Sequence, residues 1–263
     1  MEIFGKEYKS WQDYEDKNID PRLKRASAIT SDSMSPSGEK ISAGSILSTA
    51  TYNIKFPNKL SVVIPTPDMT AVYISCAKQM FDDFVSERDK HGLNKPIGRY
   101  VQLNDPSSVL NILQPLMMAV ITSYTAIEAF CNDAIPDDTD TEFWSTLSFD
   151  KSEQFNNKSS VERWASVETK MRYFVNHFYG VDPDPKGCNP IWGSYLKIKK
   201  IRNRLIHVNT IDAEGTSSDG KNLWDDLVTL NKKPHILAKD VFDFYLKPID
   251  KDKRPRWYRL YPN

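Results

Sequence analysis

The sequence predicts a mainly α-helical protein with a small β-containing N-terminal extension, and three observations predict it. Apolar residues recur at helical period in separate runs between residues 67 and 247, with start and stop residues at their ends. One β-hairpin pattern lies upstream, between residues 49 and 64. No internal repeat is present, so the helical runs together make an all-α bundle. The expected division is residues 1–66, an extension with a Ser-rich loop and the hairpin, and residues 67–263, the helical domain.

Residues 1–26 are charged and aromatic and predict one short helix with Trp11 and Tyr14. Residues 27–48 hold eight Ser with Pro36, Gly38 and Gly44, the composition of a mobile loop or linker. Thr49 to Phe56 and Leu60 to Ile64 flank Pro57, Asn58 and Lys59 and predict the hairpin. From Pro67 to Lys90, Val72, Tyr73, Cys76, Met80 and Phe84 keep helical period, and Gly92 ends the run. Asp105 and Pro106 open a long helix to Ala134, with Pro115 as a kink. Ser159 and Glu162 have capping-box spacing for the next helix, which Gly180 closes. A further helix runs from Asn189, an N-cap followed by Pro190, to Val208. Ala213 to Lys221 is polar loop, and His235 to Lys247 is a last amphipathic helix.

Composition bounds the function. The chain has 263 residues, 40% of them hydrophobic and 27% charged, ordinary values for a globular protein with a sizeable core. Its 35 Lys and Arg balance 35 Asp and Glu, so polyanion binding has to come from local patches. No stretch approaches 18 apolar residues, so no membrane partner is expected, and the N-terminus lacks a signal-peptide apolar region. Cys76, Cys131 and Cys188 are few and far apart, and read as reduced cysteines of a cytoplasmic protein. There is no phosphate-binding glycine loop, nucleophile elbow or zinc-protease motif. No cofactor is expected.

The most informative segment is Ile201 to His207. Ile198, Ile201, Leu205 and Val208 form an apolar stripe at helical spacing. At about 100° per residue, Asn203 and His207 project from the opposite side and Arg202 lies at the edge of the stripe. Lys197, Lys199, Lys200 and Arg204 surround them with no acid among them. An Arg five positions before a His also occurs at Arg172 and His177, but Tyr173, Phe174 and Val175 make that copy read as core packing.

Arg202 and Asn203 followed by His207 near a helix end resemble the RNase signature of the HEPN superfamily (higher eukaryotes and prokaryotes nucleotide-binding domain). The segment Ile121 to Phe130, with its Glu-Ala-Phe step from Glu128, resembles that family's early helix. Val161 to Gly180 resembles its middle helix and the loop that precedes the signature helix. The resemblance covers about residues 105–247. It implies a HEPN-like helical bundle and a metal-independent endoribonuclease that cuts tRNA or mRNA. Members commonly serve as toxins or abortive-infection effectors against phage, so an antitoxin or regulatory partner is implied too. They commonly act as homodimers whose signature helices share one cleft. The helix geometry points the same way, because Asn203 and His207 face away from the core stripe and need a second surface to enclose them.

The residue types suit that chemistry. His207, with an ordinary pKa near 6.5, can move a 2′-hydroxyl proton at neutral pH. Arg202 offers an always-charged fork for phosphate oxygens. Asn203, four residues before His207, can orient its ring or donate to phosphate. Arg202 and His207 also read as cations that complement a helix C-terminus. Glu128 reads either as a carboxylate aimed at the site or as a surface charge. Lys199, Lys200 and Arg204 are candidate RNA contacts, as are Arg256 and Trp257 in the basic, aromatic tail, whose aromatics alternatively pack on the bundle. Asp137, Asp138, Asp140 and Glu142 form an acidic cluster without accompanying His or Cys, and read as a solvated loop. The other function classes left open are a non-catalytic HEPN domain that binds nucleotide, RNA or a partner protein, and a purely structural helical module.

Overall fold

The computed structural model describes residues 1–263 other than 4–5, 25, 36–37, 49–50, 58, 95–104, 106, 138, 140, 147–154, 182–189, 208–221, 231 and 262–263. The chain forms two compact units, one of residues 1–72 with 253–263 and one of residues 73–252. The basic tail, expected in the helical domain, therefore belongs to the N-terminal unit. The described residues are mainly α-helical, and every strand pair is antiparallel and N-terminal.

In the N-terminal unit β1 (Glu2–Ile3) pairs with β2 (Lys6–Glu7). The short helix α1 (Trp11–Asn18) follows, capped by the Ser10 side chain, which accepts from the Asp13 amide. The Ser-rich stretch is not the expected loop. Its β3 (Ala26–Ala28) pairs with β6 (Ile46–Ser48), and β4 (Ser33–Met34) pairs with β5 (Lys40–Ile41). Two kinds of bond order it. Ser35 accepts from the Glu39 amide at 3.0 Å and closes the inner turn, where Gly38 takes a φ of 83°. From outside, the Tyr14 hydroxyl donates to the Gly44 carbonyl at 2.5 Å, and the Ala28 amide donates to Glu15 at 2.7 Å. Composition flags a polar segment but cannot show that α1 supplies partners for it. The expected hairpin forms, with β7 (Thr51–Lys55) against β8 (Ser61–Pro65) in a register that opposes Asn53 and Val63.

The second unit takes up α2 (Met69–Lys90) from Tyr73 onward, and Gly92 follows with a φ of 69°. Asp105 caps α3 (Ser107–Asp133) by accepting from the Ser107 amide at 2.9 Å. This helix runs on through Pro115. By length and composition α3 is apolar enough to cross a membrane, contrary to the sequence expectation, and half of its most apolar window is buried inside the fold. Ala119, Val120, Ala126 and Ile127 are at most 1% exposed. After α4 (Thr141–Thr146) comes α5 (Lys158–Trp164), whose capping box joins Asn157 and Ser160 where the sequence suggested Ser159 and Glu162. The middle helix breaks there. Its remainder is α6 (Val167–Thr169), a π-helical segment (Lys170–Val175) and α7 (Asn176–Tyr179), closed by left-handed Gly180 as expected.

Helix α8 (Pro190–Ile206), the short α9 (Leu223–Val228) and α10 (Pro234–Leu246) complete the unit. The core lies where α3, α8 and α10 pack on one another. Phe130 of α3 meets Phe242 and Tyr245 of α10 at ring separations of 5.3 and 5.8 Å. Cys131 is buried and Cys76 half-buried, both free thiols, and burial pushes the Cys131 thiol up. The Asn189 cap, Val208, the 213–221 loop and Cys188 lie outside the described residues.

His235, near the start of α10, is 4% exposed, and its Nδ1 has no hydrogen-bond partner among the described residues. Burial pushes its pKa down to about 4, with Lys233 and Lys78 adding to the shift and Asp82 opposing it. The unfolded chain therefore binds a proton that the folded chain refuses between about pH 4 and 6.5. Stability is full above that window and falls as pH drops through it, by about 3 kcal/mol in total. Urea denaturation at several pH values checks this. His235→Phe, which can keep the edge contact with Phe81, should flatten the slope, and an unchanged slope would refute the assignment.

Candidate functional site

Helix α8 is placed by its own pattern. Tyr195, Ile198, Ile201 and Leu205 recur three or four residues apart and are 0%, 1%, 3% and 8% exposed, so the stripe read from the sequence is the buried face. Arg202 and Asn203 sit half-buried beside it, and His207 is exposed one residue past the helix end. The His207 amide still donates to the Asn203 carbonyl at 2.8 Å. The α-helical turn thus carries through His207 and keeps it one turn beyond Asn203.

The Arg202 guanidinium lies over the Tyr124 ring, 4.9 Å from its centre, and its Nη1 donates to Asn203 Oδ1 at 3.2 Å. One face of the fork rests on an aromatic ring and one nitrogen on a neighbouring amide, which fixes its plane. Tyr124 stacks in turn on Tyr195 at 6.2 Å, with 26° between the rings. Burial raises the Tyr124 phenol above its ordinary range, with the charges of Glu128 and Glu168 adding to the rise and Tyr195 and Arg202 opposing it. Burial raises Tyr195 as well, and its fully buried hydroxyl lies beside Tyr124 and Glu168 without a well-formed hydrogen bond.

Two carboxylates border this cluster. Glu128 follows Tyr124 by one turn of α3 and is 40% exposed, with its Oε1 3.6 Å from Nζ of Lys170. Lys170 is fully buried, also donates to the Glu162 carbonyl at 3.0 Å, and opens the π-helical segment. Such π turns recur at functional sites. Glu168 is bonded to Lys199. Burial works to raise the Glu168 carboxyl, but the Lys199 bond and charge outweigh it and hold it below the usual carboxylate range.

The structure thus brings Arg202 and Asn203 together and sets Tyr124 against the guanidinium. Glu128 is held by Lys170 on the same face of α3 as Tyr124. The basic surround is less free than the sequence suggested. Lys199 is tied to Glu168, Arg204 donates to Asp226 at 2.5 Å, and Lys200, 71% exposed, lies 3.9 Å from the same carboxylate. Asp226 and Glu168 come from segments distant in sequence, so the acid-free reading of residues 197–204 held only locally.

Arg256 and Trp257, at the start of α11 (Arg256–Leu260), lie in the N-terminal unit. Arg256 donates to the carbonyls of Ala26, Leu23 and Asp20 at 2.9, 3.0 and 3.3 Å, and Trp257 is 5% exposed. Of the two readings of the tail, packing is the one these contacts match, although the packing is on the N-terminal unit. A base can stack on Trp257 only if the ring leaves that place. In the acidic cluster, Asp137 bonds Lys158 at 2.7 Å, and Asp138 and Asp140 lie outside the described residues. Among the described residues no three His, Cys, Asp or Glu side chains converge as metal ligands.

Sequence reasoning missed Tyr124, Glu168, Lys170 and Tyr195. A signal existed for two of them. Tyr124 precedes Glu128 by four residues and Tyr195 precedes Arg202 by seven, spacings that put each pair on one helix face. Chemically the arrangement offers an oriented guanidinium for an anionic oxygen and, one turn on, an imidazole open to solvent. No family model matches this sequence, and neither the curated proteins nor the solved structures compared with it provide a match.

Proposed function

We propose that this chain is a HEPN-like endoribonuclease that cleaves RNA without a metal ion and serves as a toxin or abortive-infection effector. The observation that carries the reading is the Arg202 guanidinium, braced by Asn203 and Tyr124, just ahead of exposed His207 at the end of one helix. His207 takes the 2′-hydroxyl proton, and the freed oxygen attacks the adjacent phosphorus. Arg202 pairs with the non-bridging oxygens as negative charge builds there. The bond to the 5′-oxygen breaks, and that oxygen takes a proton from the His207 of a second copy. A homodimer with paired α8 ends supplies that second histidine and excludes part of the water that would weaken the phosphate contact. Lys200, 71% exposed on the same helix and 3.9 Å from Asp226, is a candidate contact for RNA in this reading.

Incubating the full chain with tRNA and mRNA in EDTA tests the reading. The expected products carry a 2′,3′-cyclic phosphate or 3′-phosphate and a 5′-hydroxyl, DNA stays intact, and light scattering finds a dimer. Products with 5′-phosphate that form only with Mg²⁺ overturn it and point to metal chemistry at Asp137 and Glu142. An active monomer removes the dimer. A second reading, a HEPN-like module that binds nucleotide, RNA or a partner protein without cutting, is favoured by one fact. Lys199 and Arg204 are already neutralised by Glu168 and Asp226, which leaves this helix fewer cations for phosphate than its sequence suggests and favours the partner-protein form of that reading. Binding of RNA without any cleavage selects that reading.

A further inference from the structure

A cavity of about 560 Å³ opens between α2, α3 and α9, within the second unit. Its size falls in the range of small-molecule sites, about 300–1,000 Å³. The walls are apolar, with Phe84 from α2, Leu113 and Leu116 from α3, and Leu227 from α9. The charged part of the lining is cationic, with Lys232 and Lys233 exposed and Arg88 half-buried. Arg88, Lys232 and Lys233 are the charged residues among the described lining, and no carboxylate joins them.

The three cations differ in what they already hold. Arg88 is bonded to Asp89 at 2.8 Å, and Lys232 to Asp240 at 2.8 Å. The Lys233 ammonium lies 5.4 Å from the centre of the Phe81 ring and pairs with no carboxylate among the described residues. An ammonium held over a ring at the edge of an apolar hole is placed to meet an anion whose remaining body enters the hole. A cationic ligand meets the Lys233 charge with no carboxylate among the described lining to offset it, and a polyol finds few donors or acceptors along the walls. We infer that this cavity binds a small amphipathic anion, an apolar chain of the fatty-acid kind whose anionic head sits on Lys233 and whose body lies against Leu113 and Leu227. The site is independent of the Arg202 and His207 cluster and of the activity proposed for it.

Titration calorimetry of the full chain with sodium dodecanoate, below its micelle concentration, tests this. One molecule is expected to bind per chain, and dodecyltrimethylammonium, of equal chain length and opposite charge, is expected not to. Lys233→Glu should weaken dodecanoate by about tenfold or more, because it replaces an attraction with a repulsion. Leu113→Trp should abolish binding by filling the cavity. If Leu113→Trp fails to fold, Lys233→Glu and the cationic amphiphile still decide. No binding of dodecanoate, equal binding of the two amphiphiles, or unchanged binding in folded Lys233→Glu each overturns the inference.

Discussion

Replacing His207 by alanine is expected to remove RNA cleavage from a protein that still folds. The imidazole is exposed, and no described side chain bonds it. Its loss should change stability by no more than about 0.5 kcal/mol, the usual range for surface substitutions. Loss of a well-placed proton-transfer group costs about 10²–10⁴ in rate, enough to end toxicity in a cell. Arg202→Ala should be equally inactive for a different reason. It removes the phosphate clamp and leaves Asn203 and the Tyr124 ring without the guanidinium they brace. Arg202→Lys should recover little, since an ammonium can neither lie flat on the ring nor grip two oxygens at once. The second Arg and His pair is an internal control. His177 packs 4.5 Å from the Phe143 ring centre and Arg172 lies over Trp192 at 4.7 Å. Their alanine variants should lose stability and keep activity per folded molecule. Circular dichroism with single-turnover cleavage separates the cases, and full activity in folded His207→Ala sinks the assignment.

The largest expected effect on stability is at Arg256. Its guanidinium reaches back some 230 residues in sequence to Ala26, and it satisfies the Leu23 and Asp20 carbonyls as well. Arg256→Ala removes three charge-assisted bonds together and leaves half-buried carbonyls to find water. The expected cost to the N-terminal unit is about 2–4 kcal/mol, and Arg256→Lys should restore only part, because one ammonium cannot span the positions a fork reaches. Hydrogen exchange over residues 20–28 is the measurement, since it reports that unit whatever the rest of the chain does. Unchanged protection there, with RNA binding lost, would return Arg256 to the role of an RNA contact.

How much was legible in the sequence depended on where the partner of each residue lies. Helix α8 was readable because its partners are periodic. Tyr195, Ile198, Ile201 and Leu205 repeat within one element, so burial follows from spacing alone. Gly180 was readable because a left-handed helix end is a one-residue property. The break after Trp164 was not, for the periodic apolar residues continue through it. The capping box was misplaced by two residues because Asn157 and Ser159 are both good caps and only the backbone path selects between them.

The sequence by itself determined the mainly helical class, the β7–β8 hairpin, the buried face of α8, and the placing of Arg202, Asn203 and His207 within about one and a half turns of each other. Those properties depend on neighbours along the chain, within reach of local backbone geometry. Tertiary structure alone decided that Tyr124 lies beneath Arg202, that Glu168 and Asp226 neutralise Lys199 and Arg204, and that Arg256 anchors the N-terminal unit. It also turned a Ser-rich stretch into paired strands by giving its backbone the partners Tyr14 and Glu15. Each of these joins residues far apart in sequence. Charge and hydrogen bonding act over a few ångströms of space, so no local pattern records which distant group will be brought within reach.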